Sequence, residues 1–305
     1  MFENIIYAGS GIGRAAHLRR DAAGLAKLAG ESKALLAPMW KGSNLVLTGP
    51  EPRAVLLPAA GLREAMAASA ETVFLGLKGK APVFASDLTP LSDDEGGPSL
   101  GPGTAFVNLR EMGPLLPPAE AALLAQAKGL LHWHRTARFC GQCGAPTISE
   151  QGGHQRRCAK SGCETVVFPR TDPAVIMLVI DENRGRALLG RAPRFPAGMY
   201  ATLAGFVEPG ETLEEAVIRE VHEETGITAD RAIYVGSQPW PFPASLMLAF
   251  FARARSFDIV RDAHELEDVR WFTRQEVLDF ESQGMFLPRS DSIAYQLIKR
   301  WLDEG

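Results

Sequence analysis

Residues Gly205–Ile227 read GFVEPGETLEEAVIREVHEETGI, and the spacing within this stretch carries most of what the chain discloses about itself. Thr212 with Glu215 three places on forms a capping box and Gly226 is a natural stop, so a helix is predicted from about Leu213 to Glu224. On a helical wheel Leu213, Ala216 and Val217 share one stripe, and Glu220, Glu223 and Glu224 continue it through the last turn and a half. An apolar face therefore turns acidic. Three ionised carboxylates at i, i+3 and i+4 repel one another, and they crowd the helix end where the macrodipole also disfavours anions. Something cationic has to offset this. Lysine or arginine can do so, but hard divalent cations held through oxygen fit better, because Mg²⁺ takes a few carboxylates and bridges to phosphate oxygens. The plain alternative, a solvated acidic face, is weakened by Gly205, Glu211 and Arg219 around the three glutamates.

Gly205 is followed after five residues by Glu211, and seven more lead to Arg219-Glu220-Val221-His222-Glu223-Glu224-Thr225-Gly226-Ile227. Every fixed position of the Nudix box is filled, and the chain resembles a Nudix hydrolase. That resemblance implies an α/β/α sandwich. It also implies Mg²⁺ or Mn²⁺ on Glu220 and Glu224, with Glu223 contributing directly or through water. Glu224 is the first candidate for general base. Gly205, Glu211, Arg219 and Gly226 are structural within the motif, with Arg219 and Glu211 paired to hold the loop against the helix.

A length of 305 residues suggests two domains, each with room for a core. With 32 basic and 36 acidic side chains the net charge is −4, which gives no global signature of a nucleic-acid binder. Apolar runs such as 174–180 and 246–252 are too short to span a bilayer, so no membrane association is expected. Met1-Phe2-Glu3-Asn4 lacks the features of a signal peptide, and a cytoplasmic protein is expected.

All four cysteines, Cys140, Cys143, Cys158 and Cys163, fall in one window. Two close pairs separated by a loop match the ligand spacing of a closed structural zinc site, with one Zn²⁺ per chain. The first pair is the knuckle form Cys-Gly-Gln-Cys-Gly; the second is looser, with four intervening residues. A redox dithiol or a ribbon without metal are the alternatives. His154 lies between the pairs and His132 and His134 just before them, but four thiolates already fill the shell, so these are bystanders.

The boundaries predicted are an N-terminal α/β domain over 1–135, a ribbon over 136–169 and a catalytic domain over 170–305. In the first, strand-like runs at 44–47, 54–57 and 72–77 alternate with Gly/Pro turns, and a helix started by Pro117 runs to about His134. Ser92–Pro98 and Gly101-Pro102-Gly103 have the composition of a mobile loop. Gly9-Ser10-Gly11-Ile12-Gly13 lacks the third glycine and the strand-turn-helix frame of a dinucleotide fingerprint and is set aside. In the last domain, strands at 174–180 and 187–190 form a hairpin, strands follow near 233–235 and 246–254, and a helix spans 291–302. No internal repeat is legible.

Ser237-Gln238-Pro239-Trp240-Pro241-Phe242-Pro243-Ala244-Ser245 has proline at alternate positions, so it reads as a stiff extended segment that presents Trp240 and Phe242. SQPWPFP downstream of a Nudix box and a zinc ribbon resembles the signature of the NADH pyrophosphatase subfamily. The resemblance is strong from Phe139 onward and weaker over 1–135. It implies metal-dependent attack of water on the pyrophosphate of NADH or NAD⁺, giving nicotinamide mononucleotide and AMP, by a homodimer. It places a distal metal-binding carboxylate at Glu265, with Glu267 and Asp268 as alternatives. Phe168 and Phe206 match base-stacking positions, and Gln238, Trp240 and Ser245 join them as substrate-binding candidates. The alternative within the same chemistry is removal of NAD caps from RNA 5′ ends, for which the basic residues Arg135, Arg138, Arg156, Arg157, Lys160 and Arg170 speak. A catalytically inactive dinucleotide-sensing module is the reading from another class, and it is disfavoured because every box carboxylate is present.

Overall fold

The computed structural model describes residues 5–93 and 95–304; Asp94 and the N-terminal tetrapeptide read above lie outside the described residues. The chain forms two compact units, Ile6–Thr171 with Pro239–Ala244, and Asp172–Gln238 with Ser245 onward.

The N-terminal unit carries α1 (Ala22–Ala29), β1 (Leu35–Trp40), β2 (Ser43–Leu47), β3 (Arg53–Ala54), β4 (Leu57–Pro58), α2 (Arg63–Ala68), β5 (Thr72–Lys78), β6 (Ala81–Asp87), β7 (Thr104–Val107), α3 (Leu109–Met112) and α4 (Pro118–Thr136). The strand expected over 54–57 is split, because the Val55 amide turns to the Leu45 carbonyl between the two short ladders. Alternate residues serve opposite faces, as the twofold period of a strand requires. Val73 and Leu75 of β5 face the α4 residues Leu123, Leu124 and Leu131, while Phe74 packs with Leu25 of α1 and Phe84 of β6. The 92–98 loop is anchored at both ends despite its composition. Trp40 Nε1 donates to the Ser92 carbonyl at 2.9 Å, and Gly97 sits so close to Trp40 that a β-carbon there would stand 2.8 Å from the indole.

The ribbon closes this unit with β8 (Thr147–Glu150), β9 (Gln155–Cys158) and β10 (Val166–Val167), an antiparallel meander. It is riveted by Arg156. The guanidinium donates to Glu71 Oε2 at 2.8 Å, to the Thr147 carbonyl at 2.9 Å and to Nδ1 of His134 at 2.7 Å. His134 in turn meets the Gly153 carbonyl through Nε2 at 2.8 Å, and its Nδ1 also lies 3.1 Å from Glu71 Oε2.

The C-terminal unit follows as β11 (Asp172–Asp181), β12 (Arg186–Arg191), β13 (Leu203–Phe206), α5 (Leu213–Thr225), β14 (Ala229–Trp240), β15 (Ser245–Ala254), β16 (Asp268–Thr273), α6 (Arg274–Leu278) and α7 (Ile293–Asp303). Val175, Met177 and Val179 of β11 face α5, while Ile176 and Leu178 face Leu297, Ile298 and Trp301 of α7. A helix thus covers each face of a mixed sheet.

The two sheets share one wiring. β11 pairs parallel with β15 and antiparallel with β12 and β13, and β12 pairs with β16. In the N-terminal unit β1 pairs parallel with β6 and antiparallel with β2 and β4, and β2 pairs with β7. Only β3 has no counterpart. The helix after the third matched strand is α5 in one unit and the six-residue α2 in the other. The repetition is one of topology, and it leaves no repeated motif in the sequence.

Among the described residues no helix is long and apolar enough to cross a membrane.

Candidate active site

The α5 helix starts and stops as its caps dictate. Thr212 Oγ1 accepts from the Glu215 amide at 3.2 Å, and the Glu215 carboxylate accepts from the Thr212 amide at 2.8 Å. At the other end Gly226 adopts φ 68°, the left-handed C-cap.

Arg219 ties the preceding loop to the helix. It donates to Glu211 at 2.5 and 2.9 Å, to the Phe206 carbonyl at 2.9 Å, and to Glu220 and Glu223 at 2.9 Å each. Arg219, then the Glu208 amide, hold the Glu211 carboxyl down to about 2.

Glu220 and Glu224 are buried, at 9% and 5% exposure. Glu223 departs from the stripe predicted for it: its side chain is 58% exposed and lies against Arg219. At ~100° per residue the buried residues Ala216 to Thr225 span an arc centred between Val217 and Glu224, and position 223 falls just outside it, beyond Ala216. Burial first, then Glu220 and Glu265, push the Glu224 carboxyl up to about 8, with Arg194 opposing. Glu220 is raised by burial as well, against the pull of Arg219. Glu265 lines a pocket with Glu224, Arg194, Phe195 and Thr202. Its two sequence neighbours are engaged elsewhere, Glu267 with Arg191 at 2.9 Å and Asp268 with Tyr200 and Arg270.

This donor set suits a hard divalent ion. A β-carbon at Gly205 would lie 1.8 Å from the Glu220 carboxyl carbon, so β13 leaves a cradle that the carboxylate fills. Thr202 Oγ1, buried in the pocket wall, has no hydrogen-bond partner among the described residues. The glutamates do not converge into a tight shell as the cysteines do. That wider spacing is what Mg²⁺ tolerates, since it keeps several waters.

In the ribbon the four Sγ atoms lie within 4.8 Å of one another. Cys143 and Cys158 are 3.5 Å apart, Cys140 and Cys163 3.9 Å. Tetrahedral zinc at about 2.3 Å from each thiolate needs edges of about 3.8 Å, so the residues fit a closed structural site. The Gln142 and Cys143 amides draw the Cys140 thiol down to about 6. His134 and His154 are committed elsewhere, His154 to the Phe74 carbonyl at 2.8 Å.

The substrate candidates separate. Phe206 is 60% exposed at the end of β13, next to the loop that Arg219 secures, and Phe168 is also exposed. Ser245 opens β15 and is partly exposed. Gln238 is not placed to meet a ligand: its carboxamide donates to the Asp291 carbonyl at 2.7 Å and accepts from the Ile293 amide at 2.8 Å, joining β14 to α7. Trp240 and Phe242 are partly buried. They stack edge-on with each other and with Tyr7 in the apolar core of the N-terminal unit, where π faces gain more than in water. Arg194, Phe195 and Thr202 were not anticipated from sequence; the only signal for them is an Arg- and Pro-rich connection just upstream of the box.

A NUDIX domain is recognised over residues 170–291, an NADH pyrophosphatase-like rudimentary NUDIX domain over 33–133, and an NADH pyrophosphatase zinc ribbon domain over 135–168. The chain is 41% identical over 244 residues to the NAD-capped RNA hydrolase NudC of Mycobacterium bovis, covering 76% of this chain and 75% of that one. The chain belongs to the NADH pyrophosphatase subfamily of the Nudix hydrolases. NudC of Deinococcus radiodurans is 42% identical over 206 residues, covering 66% of this chain and 69% of the relative. The NAD-capped RNA hydrolase NUDT12 of Macaca fascicularis is 49% identical over 193 residues, 60% of this chain. The chain spans only 42% of that relative's length. The rudimentary NUDIX domain accords with the wiring shared by the two sheets, and α2 shows what is rudimentary about it: Glu64 is its only carboxylate.

Proposed function

We propose that this Nudix hydrolase cleaves the pyrophosphate bond of NADH and NAD⁺, releasing nicotinamide mononucleotide and AMP. The observation that carries the reading is the electrostatic union of Glu220, Glu224 and Glu265 beside Arg194. A bound Mg²⁺ or Mn²⁺ would neutralise pyrophosphate oxygens and acidify the attacking water. Glu220, Glu224 and Glu265 would hold it, with Glu223 contributing through water from its exposed position.

Glu224, a buried carboxylate lining the pocket, is the residue to which we assign the proton of the attacking water. The water oxygen bonds to one phosphorus, the bridging P–O bond breaks, and the bridging oxygen leaves with the other mononucleotide. Arg194 lines the same pocket and offers a cation to the phosphates. Phe206 offers an exposed ring for a base or the nicotinamide.

The relatives named NAD-capped RNA hydrolases support the same cleavage at an RNA 5′ end as a second reading. We further read three domains, at 1–135, 136–169 and 170–305, and a homodimer with a cytoplasmic address. The test is product analysis in ¹⁸O-labelled water with Mg²⁺ or Mn²⁺. Two mononucleotides are expected, with label on one product phosphate. Free nicotinamide or ADP-ribose would overturn the reading.

A further inference from the structure

A cleft of about 630 Å³ opens in the N-terminal unit between the end of β6, the start of β5 and the last turns of α4. Lys41, Arg135 and Arg138 stand on its wall. None of them forms an ion pair among the described residues: Lys41 lies 4.4 Å from the Trp40 ring centroid, Arg135 reaches His132 at 3.4 Å, and Arg138 is exposed. The cleft also holds Arg156, Glu71 and Asp87. Arg156 is matched by Glu71 at 2.8 Å, and Asp87 accepts from the Thr89 amide at 3.1 Å. Three unmatched cations face one carboxylate, Asp87, across this cleft. The same field is felt two turns back on α4, where burial first and Arg135 next depress the Lys128 ammonium.

We propose that this cleft binds a small phosphomonoester of mononucleotide size, with Lys41, Arg135 and Arg138 as the phosphate ligands. A phosphomonoester near neutrality carries close to two negative charges, which balances the excess. Guanidinium groups offer paired donors to its oxygens, and lysine adds a point charge. The volume falls in the range of small-ligand sites, roughly 300–1,000 Å³. Leu131 and Pro90 supply an apolar wall for a ring, and Asp87 is placed to accept from a sugar hydroxyl. The box carboxylates belong to the other unit, so this site is independent of whether they hydrolyse dinucleotides.

The experiment is calorimetric titration of the full-length, zinc-containing protein with AMP and, separately, inorganic phosphate, without added divalent cation. Saturable binding is expected, with AMP tighter than phosphate. Arg135→Gln combined with Arg138→Gln should weaken AMP by about tenfold or more, the scale of lost charge-assisted contacts. Both side chains are exposed, so the melting temperature should be unchanged. Lys160→Gln, an exposed ribbon lysine outside the cleft, should leave AMP affinity unaltered. Absence of saturable binding, or equal affinity in the double variant, overturns the proposal. So does an oligoribonucleotide without a terminal phosphate that binds as tightly as AMP and is weakened by the same substitutions, which would mark a polyanion surface instead.

Discussion

The carboxyl group of Glu220 fills the space that a side chain at Gly205 would need, 1.8 Å from the position of its β-carbon. This is the physical reason for glycine at the head of the box: the backbone of β13 and a buried carboxylate on α5 must touch. Gly205→Ala should therefore displace Glu220 while the helix, secured by its own capping box, survives. Hydrolysis is expected to fall by roughly a hundredfold or more, in line with losing a positioned catalytic group, with the far-ultraviolet circular dichroism retained. Full activity in this variant would mean that Glu220 need not lie where the structure places it.

Glu224 should make the metal-free protein sensitive to rising pH. Its carboxyl is raised from 4.5 to about 8, so the stability it contributes is complete below pH 4.5 and is lost as pH climbs through 8. Without divalent cations, the melting temperature of the native protein should decline across that window relative to Glu224→Gln. Mg²⁺ or Mn²⁺ binding near pH 7 should release protons, read as calorimetric heats that differ between buffers. Parallel pH profiles for protein and variant, with no proton release, would contradict the buried, crowded carboxylate. The same variant should lose most turnover, roughly 10²-fold or more.

Acid should act through His154. Burial, first, and the charges of Arg19 and Arg14 lower its imidazole from 6.5 to about 4, against the hydrogen bond it gives to Phe74. Its stabilising contribution is present above pH 6.5 and is lost as pH falls through 4. Chemical denaturation at pH 7 and at pH 5 should show a drop in stability that His154→Gln reduces; an equal drop in both proteins would assign the acid sensitivity elsewhere.

Elemental analysis of protein purified without chelators should find one zinc per chain. Cys140→Ser removes a thiolate from a closed shell, and its cost should appear as lowered thermal stability of the ribbon-bearing unit before any change in kcat. A zinc-free native protein of unaltered stability would count against a metal ribbon.

What was legible in the sequence was local. The caps at Thr212 and Gly226 specify α5 to within a residue, and the cysteine spacing specifies the ribbon, because both signals arise within a few residues of chain. Glu223 was misplaced because a helical wheel orders residues around an axis without saying which sector faces the sheet; Val221 and Thr225 settle that. The contacts of Gln238 and Trp240 were not legible for a related reason. Their partners, Ile293 and Tyr7, are remote in sequence, and no local pattern declares such pairings. The duplicated wiring was hidden because strand pairing is a relation between segments. Only one copy kept the acidic helix by which it would be noticed.

The six residues Pro239–Ala244 have a practical consequence for anyone dissecting the chain. They comprise the last two residues of β14 and the turn that leads to β15, inside the part of the sequence that bears the Nudix box, yet their aromatic rings pack against the core around Tyr7. No single cut yields two intact halves. A fragment ending near Thr171 would fold with a vacancy where Trp240 and Phe242 belong, and one starting near Asp172 would carry those rings bare into solvent, an invitation to aggregate.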